Sequence, residues 1–345
     1  MAMKARDGSP PPPSHVTRLY GPGMREAPGI RPGASRPVSP TDGASREVAL
    51  RQVGLVVHPT RPLETALGEL GAWASAHGLM IGQVPVPGQT REVADPVAAA
   101  ACDLLLAIGG DGTALSALHA AAPALSPVLG IAGGSIGVLT SVSVDRIAWA
   151  LDEFAAGRWT PLAIPGLDVT WAEAQTAVAV NDVAVIREGT GQIMVSIALD
   201  DVLYAELAGD GVVVATALGS SAYTMAAGGP LLAPGADGMA VTPLSTHGGS
   251  CPALVAGSGS RVTLTVQPRQ GGVRCELDGR RSPVEGHVLT IQHRRDYATL
   301  VTLDGEEPRL TGLRRRGLVR DSPRVVVWGG RSGSELVASP GAWAS

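Results

Sequence analysis

Hydrophobic positions follow two alternating periods over the first part of the chain. An apolar run over 53–57 predicts a buried parallel strand, and helical spacing over 63–77, closed by Gly78, predicts a helix. The pattern recurs, with further strands at MIGQVPV, 103–108 and PVLGIA and further helices over 95–101, 113–122 and 145–157. Strands and helices that alternate at this pace indicate a parallel sheet with crossover helices.

The sequence pattern changes past Trp159, where short β-rich segments are separated by turn residues. They are LDVTW, TAVAVNDVAVI, IMVSIALDD, YAELAGDGVVVATA, RVTLTVQ, VRCELDG and HVLTIQHR. This pattern predicts a mostly antiparallel, mostly-β domain.

The predicted organisation has five parts. We expect a disordered tail, an α/β domain, a β-rich domain, a segment that returns to pack on the first domain, and a second tail with a possible short strand at VVVW. Their bounds are 1–47, 48–145, 146–305, 306–320 and 321–345.

Composition narrows the function classes. The net charge is −4, which gives no electrostatic footprint for nucleic acid or an anionic membrane, and no stretch is long and apolar enough to span a bilayer. The three cysteines form no CxxC pair and no N-terminal apolar segment is present, so we expect a cytoplasmic protein. His247 and Cys251 are four apart, but further ligands are missing, so no metal site is expected.

The stretch LLLAIGGDGTAL carries the first candidate chemistry. Gly109, Gly110 and Gly112 follow a predicted strand and open a predicted helix, so they permit positive φ and close backbone approach to a phosphate. Asp111 would then face a phosphorylated ligand at the carboxyl edge of the sheet. The Lys of a P-loop is missing. The alternative is a tight turn in which Asp111 caps the helix.

A second polar pair lies within AVNDVAVI. Strand alternation turns one of Asn181 and Asp182 inward, where a buried amide or carboxylate needs a partner. The alternative is a turn between two hairpin strands.

The third stretch, GDGVVVATALGSSAYTMAAGGPLL, has hydroxyls at Thr216, Ser220, Ser221 and Tyr223 among small residues. Hydroxyls and bare backbone at this density suit a polyhydroxylated, phosphorylated ligand such as a nucleotide. A surface loop without ligand is the alternative.

Taken in order, these motifs, followed by TP with His247 four residues on and by LDG at 277–279, resemble the NAD kinase family from about residue 52 to 318. GGDGT alone is shared with diacylglycerol and sphingosine kinases, whereas the Gly/Ser/Tyr motif is more specific to NAD kinases. The resemblance implies an NAD kinase/diacylglycerol kinase-like fold, an α/β N-terminal domain plus a β-sandwich-like C-terminal domain, in a homodimer or homotetramer. It also implies transfer of the γ-phosphoryl of ATP, or of polyphosphate, to the 2′-hydroxyl of the adenosine ribose of NAD.

The resemblance assigns roles residue by residue. Asp111 would be the general base, and Mg²⁺ would be bound mainly through ATP phosphates. The phosphate path would be lined by Gly109, Gly110, Gly112 and Thr113, with Arg61 of HPTRP as a further contact unless it is an exposed loop arginine. NAD would be bound by Asn181, Asp182, Asp210, Thr216, Gly219, Ser220, Ser221, Ala222, Tyr223 and His247.

Several positions depart from the family pattern. Ala132, Val138, Leu218 and Cys251 stand where the family commonly has polar, aromatic or basic residues, and Asp182 stands where a Glu is frequent. Two alternatives therefore stay open: a same-fold kinase that phosphorylates another hydroxyl, and a nucleotide-binding regulatory protein without turnover. The retained Asp111, Asn181, Asp182, Asp210 and Tyr223 favour activity.

Overall fold

The structure is a computed structural model that describes residues 50–172, 175–282, 286–306 and 309–322. The predicted first tail, 1–47, lies outside these residues, and so does the second tail, including VVVW, apart from residues 321 and 322. In the first part, strands β1 to β5 are Gln52–Val57, Met80–Gln83, Leu104–Gly109, Val128–Ala132 and Val142–Ser143. Helices α1 to α3 are Glu64–His77, Asp111–Ala121 and Ile147–Ala155.

The first part is an α/β unit around a parallel sheet. Its strand order is β2-β1-β3-β4, every pair is parallel, and β5 pairs with β4 in the same sense. Helices α1 and α3 pack on one face and α2 on the other, so strand residues on both faces are buried. This burial is why β1 and β3 are continuous apolar runs, and the expected parallel sheet is confirmed.

The helix expected over 95–101 is wrong. Only Ala99–Ala101 form a short 3₁₀ turn, and Pro96 bridges to Gln83 in the parallel sense. The physical reason is backbone pairing with β2, because Gln83 N donates to Asp95 O at 2.7 Å and Val97 N donates to Gln83 O at 2.9 Å. These bonds hold the segment extended beside β2.

The second part consists almost wholly of strands. Strands β6 to β11 are Trp159–Trp171, Gln175–Ala179, Asp182–Glu188, Ile193–Leu199, Val202–Gly209 and Gly211–Thr216. Strands β12 to β17 are Gly238–Leu244, Leu254–Gly257, Arg261–Pro268, Gly272–Leu277, Arg280–Ser282 and Val288–Leu303. Two short helices complete it, α4 at Tyr223–Ala226 and α5 at Arg309–Arg315.

Two sheets face each other in this part. One has the order β13-β12-β11-β8-β15-β16 and is antiparallel throughout, and the other contains β10-β9-β14-β17 with β6 and β7. Aliphatic side chains of both sheets fill the space between them, among them Val185, Val195, Val212, Leu264 and Ile291. The expected fold class, α/β plus a β-sandwich-like part, is confirmed.

Strand β17 joins the two parts. It is antiparallel to β14 and β6, and its Leu300 pairs in parallel with Val128 of β4, so one sheet of 11 strands runs through both. The domain bounds expected from the sequence stay a prediction. Across the described stretches, no helix is long and apolar enough to cross a membrane.

Candidate active site

The GGDGT loop connects β3 to α2 without left-handed backbone, so the positive φ expected for its glycines is wrong. Gly110 has φ −119°, and neither Gly109 nor Gly112 has a positive φ. Gly109 is required by packing instead, because a Cβ there would lie 2.3 Å from Thr113 Oγ1. A Cβ on Gly112 would meet nothing within 4 Å, so Gly112 leaves open space at the start of the helix.

Asp111, the first residue of α2, is held by the loop that follows β4. Its Oδ1 accepts from Leu139 N at 2.8 Å and its Oδ2 from Val138 N at 3.0 Å. A Cβ on Gly137 would lie 2.1 Å from Oδ1, which explains the glycine in SIGVLT. The alternative that Asp111 caps its own helix is therefore wrong. The carboxylate is about one-third exposed (34 %) and has a fixed direction.

Arg316, just beyond α5, approaches the same carboxylate. Its Nη1 lies 3.8 Å from Asp111 Oδ2. No motif indicated Arg316, although the basic run LRRRGL was a signal in the sequence. A cation from the end of the described chain thus stands beside the candidate base.

A cleft of about 550 Å³ opens in front of the GGDGT loop. It contains four of the predicted phosphate residues, Arg61, Gly110, Gly112 and Thr113, and also Asp111 and Arg280. Gly110 faces Arg61, since a Cβ there would lie 3.7 Å from its guanidinium. Two arginines and the first amides of α2 against one carboxylate make the cleft suited to a polyanion.

The Asn181–Asp182 pair lies where the chain passes from one sheet to the other. β7 pairs with β6, whereas β8 pairs with β11 and β15, so the hairpin-turn alternative is wrong. Asp182 is the inward residue, 5 % exposed. Burial, reinforced by Asp278 and Glu276, raises the pKa of its carboxyl to about 7.

Asp278 fixes the backbone of this crossover. Its Oδ1 accepts from Asn181 N at 2.6 Å, and its Oδ2 accepts from Val180 N at 3.0 Å and contacts His119 Nε2 at 2.7 Å. The Nδ1 of His119, which lies on α2, is 2.9 Å from Tyr297 Oη. His119 and Asp278 therefore link the helix of the candidate base to the Asn181–Asp182 crossover. No sequence motif indicated His119.

Two residues of the Gly/Ser/Tyr motif, Thr216 and Gly219, contact this crossover, and Ser220 fixes the loop of the motif itself. Thr216 Oγ1 donates to Val180 O at 2.8 Å and accepts from Gly219 N at 3.1 Å. A Cβ on Gly219 would lie 1.9 Å from Asn181 O. Ser220 Oγ donates to Ala217 O at 2.7 Å and accepts from Leu232 N at 2.9 Å. Thr216 and Ser220 are fully buried, and their hydroxyls are bonded inside the protein.

Asp210 and Tyr223 line a second, polar cleft of about 440 Å³ with Arg187 and Arg274. Arg187 Nε donates to Asp210 Oδ1 at 2.5 Å. This hydrogen bond is the largest cause that lowers the pKa of Asp210, and the nearby charge of His247 lowers it further. Burial raises the pKa of the Tyr223 hydroxyl.

A third cavity, of about 460 Å³, is mostly apolar and is lined by Ser221, Leu218 and Val138. Because the amide of Val138 binds Asp111, this cavity adjoins the candidate base. His293 also lines it, and both its ring nitrogens are buried without a hydrogen-bond partner among the described residues. Ala222 adds only backbone at the turn into α4. Ala132 is buried in β4, and Cys251 packs against the sandwich core.

Parallel strands end at the cationic cleft in front of the GGDGT loop, beside the fixed carboxylate of Asp111. This arrangement defines the class of the protein, a phosphotransferase with an α/β part and a β-sandwich part. Two family models match the chain, the ATP-NAD kinase N-terminal domain over residues 53–159 and the ATP-NAD kinase C-terminal domain over residues 180–302. The chain belongs to the NAD kinase family.

Individual relatives agree. The NAD kinase of Nitratidesulfovibrio vulgaris is 30% identical over 79% of this chain and 93% of its own, and that of Symbiobacterium thermophilum is 32% identical over 73% and 93%. Among solved structures, yeast NADH kinase complexed with NADH has a TM-score of 0.65 at 18% identity, covering 79% of this chain and 89% of its own. An NAD kinase from Archaeoglobus fulgidus in complex with ATP has a TM-score of 0.63 at 20% identity, over 77% and 98%. These two structures share the fold.

Proposed function

We propose that this protein transfers the γ-phosphoryl group of ATP to the 2′-hydroxyl of the adenosine ribose of NAD and so forms NADP and ADP. The observation that carries the proposal is the fixed Asp111 carboxylate at the edge of the cationic cleft, in a chain of the NAD kinase family. A ribose hydroxyl is a weak nucleophile, and a carboxylate within hydrogen-bond reach accepts its proton as the new P–O bond forms.

The donor phosphates would lie in the cleft of about 550 Å³. The amides of Gly110 and Gly112 and the guanidinium of Arg61 would bind them, because phosphoryl transfer depends on alignment and on neutralised charge. Thr113, whose amide donates to Gly110 O, would line the phosphate path. Gly109 would act indirectly, by letting Thr113 pack against the loop.

NAD would lie against the crossover and the two further cavities. Asn181 and Asp182 would bind the ribose and adenine end, Ser221 and Ala222 would border the apolar cavity, and Asp210, Tyr223 and His247 would bind the nicotinamide side. Thr216, Gly219 and Ser220 would act indirectly, without touching NAD, since their contacts shape the backbone that carries these residues.

Mg²⁺ would bind to the cleft together with the phosphate donor, as the Mg·ATP complex. Over the described residues no group of three or more His, Cys, Asp or Glu side chains could hold a metal, and the cleft has one carboxylate. Such a cleft fits an ion that is bound mainly by ATP phosphates, as Mg²⁺ commonly is in kinases. Inorganic polyphosphate is a second donor that the same amides and guanidinium groups would accept.

We also propose a cytoplasmic homodimer or homotetramer. Strand β10 is an outer strand of its sheet, and Val202 and Leu203 on it are 70 % and 58 % exposed. Apolar side chains on an outer strand favour pairing with another copy. Light scattering on the purified protein measures the state, and a monomer would contradict this part.

The test of the activity is NADP formation from Mg·ATP and NAD, read by an NADP-specific dehydrogenase. A panel of acceptors, read by ADP formation from ATP, addresses Val138 and Leu218, whose apolar side chains favour an altered acceptor pocket. Turnover of another hydroxyl compound but not NAD would support the altered-acceptor kinase. NAD binding without turnover by ATP or polyphosphate would support the regulatory protein.

Asp111→Asn tests the base. We expect turnover to fall by about 10²- to 10⁴-fold, the usual contribution of a positioned base. NAD and ATP should still bind, because the amide oxygen can accept one of the two loop hydrogen bonds. An unchanged turnover number would show that Asp111 is not the base.

A further inference from the structure

The phosphate cleft contains a second guanidinium that no motif indicated. Arg280 begins β16, directly after the turn of Asp278 and Gly279, and lines the cleft together with Arg61 and Gly110. Its Nη2 donates to Ser116 Oγ at 2.7 Å, and this hydroxyl donates to Gly112 O at 3.0 Å. Ser116 thereby holds the guanidinium over the first turn of α2.

Arg280 forms no ion pair with any of the described residues. Within the described ranges, neither Arg280 nor Arg61 has an acidic group within 4.0 Å. The next residue differs, since Arg281 donates to both carboxylate oxygens of Glu188 at 2.8 and 3.0 Å. Two neighbouring arginines of one hairpin therefore have different surroundings, and only Arg280 lines the cleft.

We propose that Arg280, positioned by Ser116, binds the phosphate chain of the donor. The inference rests on the proposed function and specifies the ligand class of its donor site: a chain of at least three linked phosphates, from a nucleoside triphosphate or from inorganic polyphosphate. A guanidinium donates two parallel hydrogen bonds to a phosphate, and one fixed by Ser116 loses little freedom on binding. Arg61 and Arg280 reach the cleft from different elements, the loop after β1 and strand β16, which suits an extended polyanion.

The experiment compares wild-type protein with Arg280→Ala, Arg280→Lys and the matched control Arg281→Ala. Steady-state kinetics give the KM for ATP, for polyphosphate and for NAD, and calorimetry gives the Kd of inorganic tripolyphosphate. In Arg280→Ala we expect the donor KM and the tripolyphosphate Kd to rise at least about tenfold, as for a lost hydrogen bond to a charged group. The KM for NAD should stay within about twofold, and Arg280→Lys should be intermediate, because lysine keeps the charge but not the fork. Arg281→Ala should leave all constants within about twofold, since its pair with Glu188 is on the surface.

If Arg280→Ala raises the KM for ATP more than the KM for polyphosphate, the nucleotide is the donor that Arg280 binds. The opposite order identifies polyphosphate as that donor. Equal donor KM values in Arg280→Ala and Arg281→Ala, with wild-type turnover intact, would overturn the inference and leave the proposed function standing. If wild-type protein forms no NADP, the proposed function fails, and the tripolyphosphate titration alone decides the role of Arg280. If Arg280→Ala does not fold, Arg280→Lys is read against Arg281→Ala in the same way.

Discussion

Four glycines around Asp111 look alike in the sequence but serve two purposes. Gly109 and Gly137 are needed for packing, because a Cβ would lie 2.3 Å from Thr113 Oγ1 and 2.1 Å from Asp111 Oδ1. Gly110 and Gly112 have room for a Cβ. Because these two glycines have no side chain, their backbone is open to the space that we assign to the donor phosphates. A sequence shows where side chains are missing, but it does not show whether protein or ligand occupies the space.

Alanine at Gly109 and at Gly112 separates the two purposes. Gly109→Ala should lower the melting temperature, since its Cβ overlaps Thr113, at a cost of about 1–3 kcal/mol for overpacking. Gly112→Ala should leave the melting temperature unchanged or raise it, because alanine favours a helix over glycine by up to about 1 kcal/mol. Its kcat/KM for ATP should still fall at least about tenfold, the scale on which displaced reactants lose rate. Thermal unfolding and kinetics measure both. Full activity in Gly112→Ala would contradict a phosphate path at this position.

The buried carboxyl of Asp182 makes stability depend on pH. Its pKa is about 7 in the folded protein against an ordinary value of 3.8. Between these values the folded state keeps a proton that the unfolded state has lost, so stability falls as pH rises through this window, by about 1.4 kcal/mol per unit of pKa difference. Asp182→Asn has no such proton. Its melting temperature relative to wild type should therefore increase from pH 5 to pH 8, as calorimetry can measure without ligands. A constant difference would show that the pKa of this carboxyl is not raised in the folded protein.

At the scale of elements, the hydrophobic period and the apolar content predicted the strands and helices whose positions depend only on burying apolar side chains. Buried β1 and β3 and helix α1 agree with the sequence to within about two residues, the usual ambiguity of element ends. The helix predicted over 95–101 is wrong because the start of that segment pairs with the backbone of Gln83 in β2. Only the end of β6 was predicted, because Pro161 and Pro165 argue against a strand. Pro165 lies opposite the irregularity between Arg294 and Ala298 of β17, where no regular ladder is needed.

The link between α2 and the crossover yields the next prediction. In His119→Ala, Asp278 loses its contact at 2.7 Å and the backbone of Asn181 and Asp182 becomes less fixed. We expect the KM for NAD to rise about tenfold, as for a hydrogen bond to a charged group, with the KM for ATP within about twofold. Tyr297→Phe is the control, because it removes only the bond at Nδ1 and keeps the imidazole against Asp278. Equal changes in both KM values, or equal effects of both variants, would show general destabilisation instead.

At the scale of the whole molecule, the candidate site is assembled by contacts that are distant in sequence. Asp111 begins α2, its hydrogen-bond donors follow β4, Arg280 comes from the second sheet, and Arg316 follows α5. The motifs predicted the carboxylate and the glycines, because those residues are local to one strand–helix turn. Arg280 and Arg316 could not be predicted in the same way, because their positions depend on how β15, β16 and α5 return to the first part of the chain.

A substitution at Arg316 tests whether the return of α5 to the first part of the chain contributes to catalysis. The Nη1 of Arg316 lies 3.8 Å from Asp111 Oδ2 and its side chain is three-quarters buried, whereas the side chain of Arg314, two residues earlier, is more than half exposed and paired with Asp321. Arg316→Ala should lower kcat/KM about tenfold or more, the scale of a lost interaction between charged groups, because Asp111 loses a cation beside the transferred phosphoryl. Arg314→Ala should stay within about twofold of wild type, as expected for a surface pair. Both variants should melt near the wild-type temperature, so kinetics at matched folded fraction measures the difference. Equal activity of the two would show that the segment after α5 only covers the site, and that the field at Asp111 comes from the amides of Val138 and Leu139.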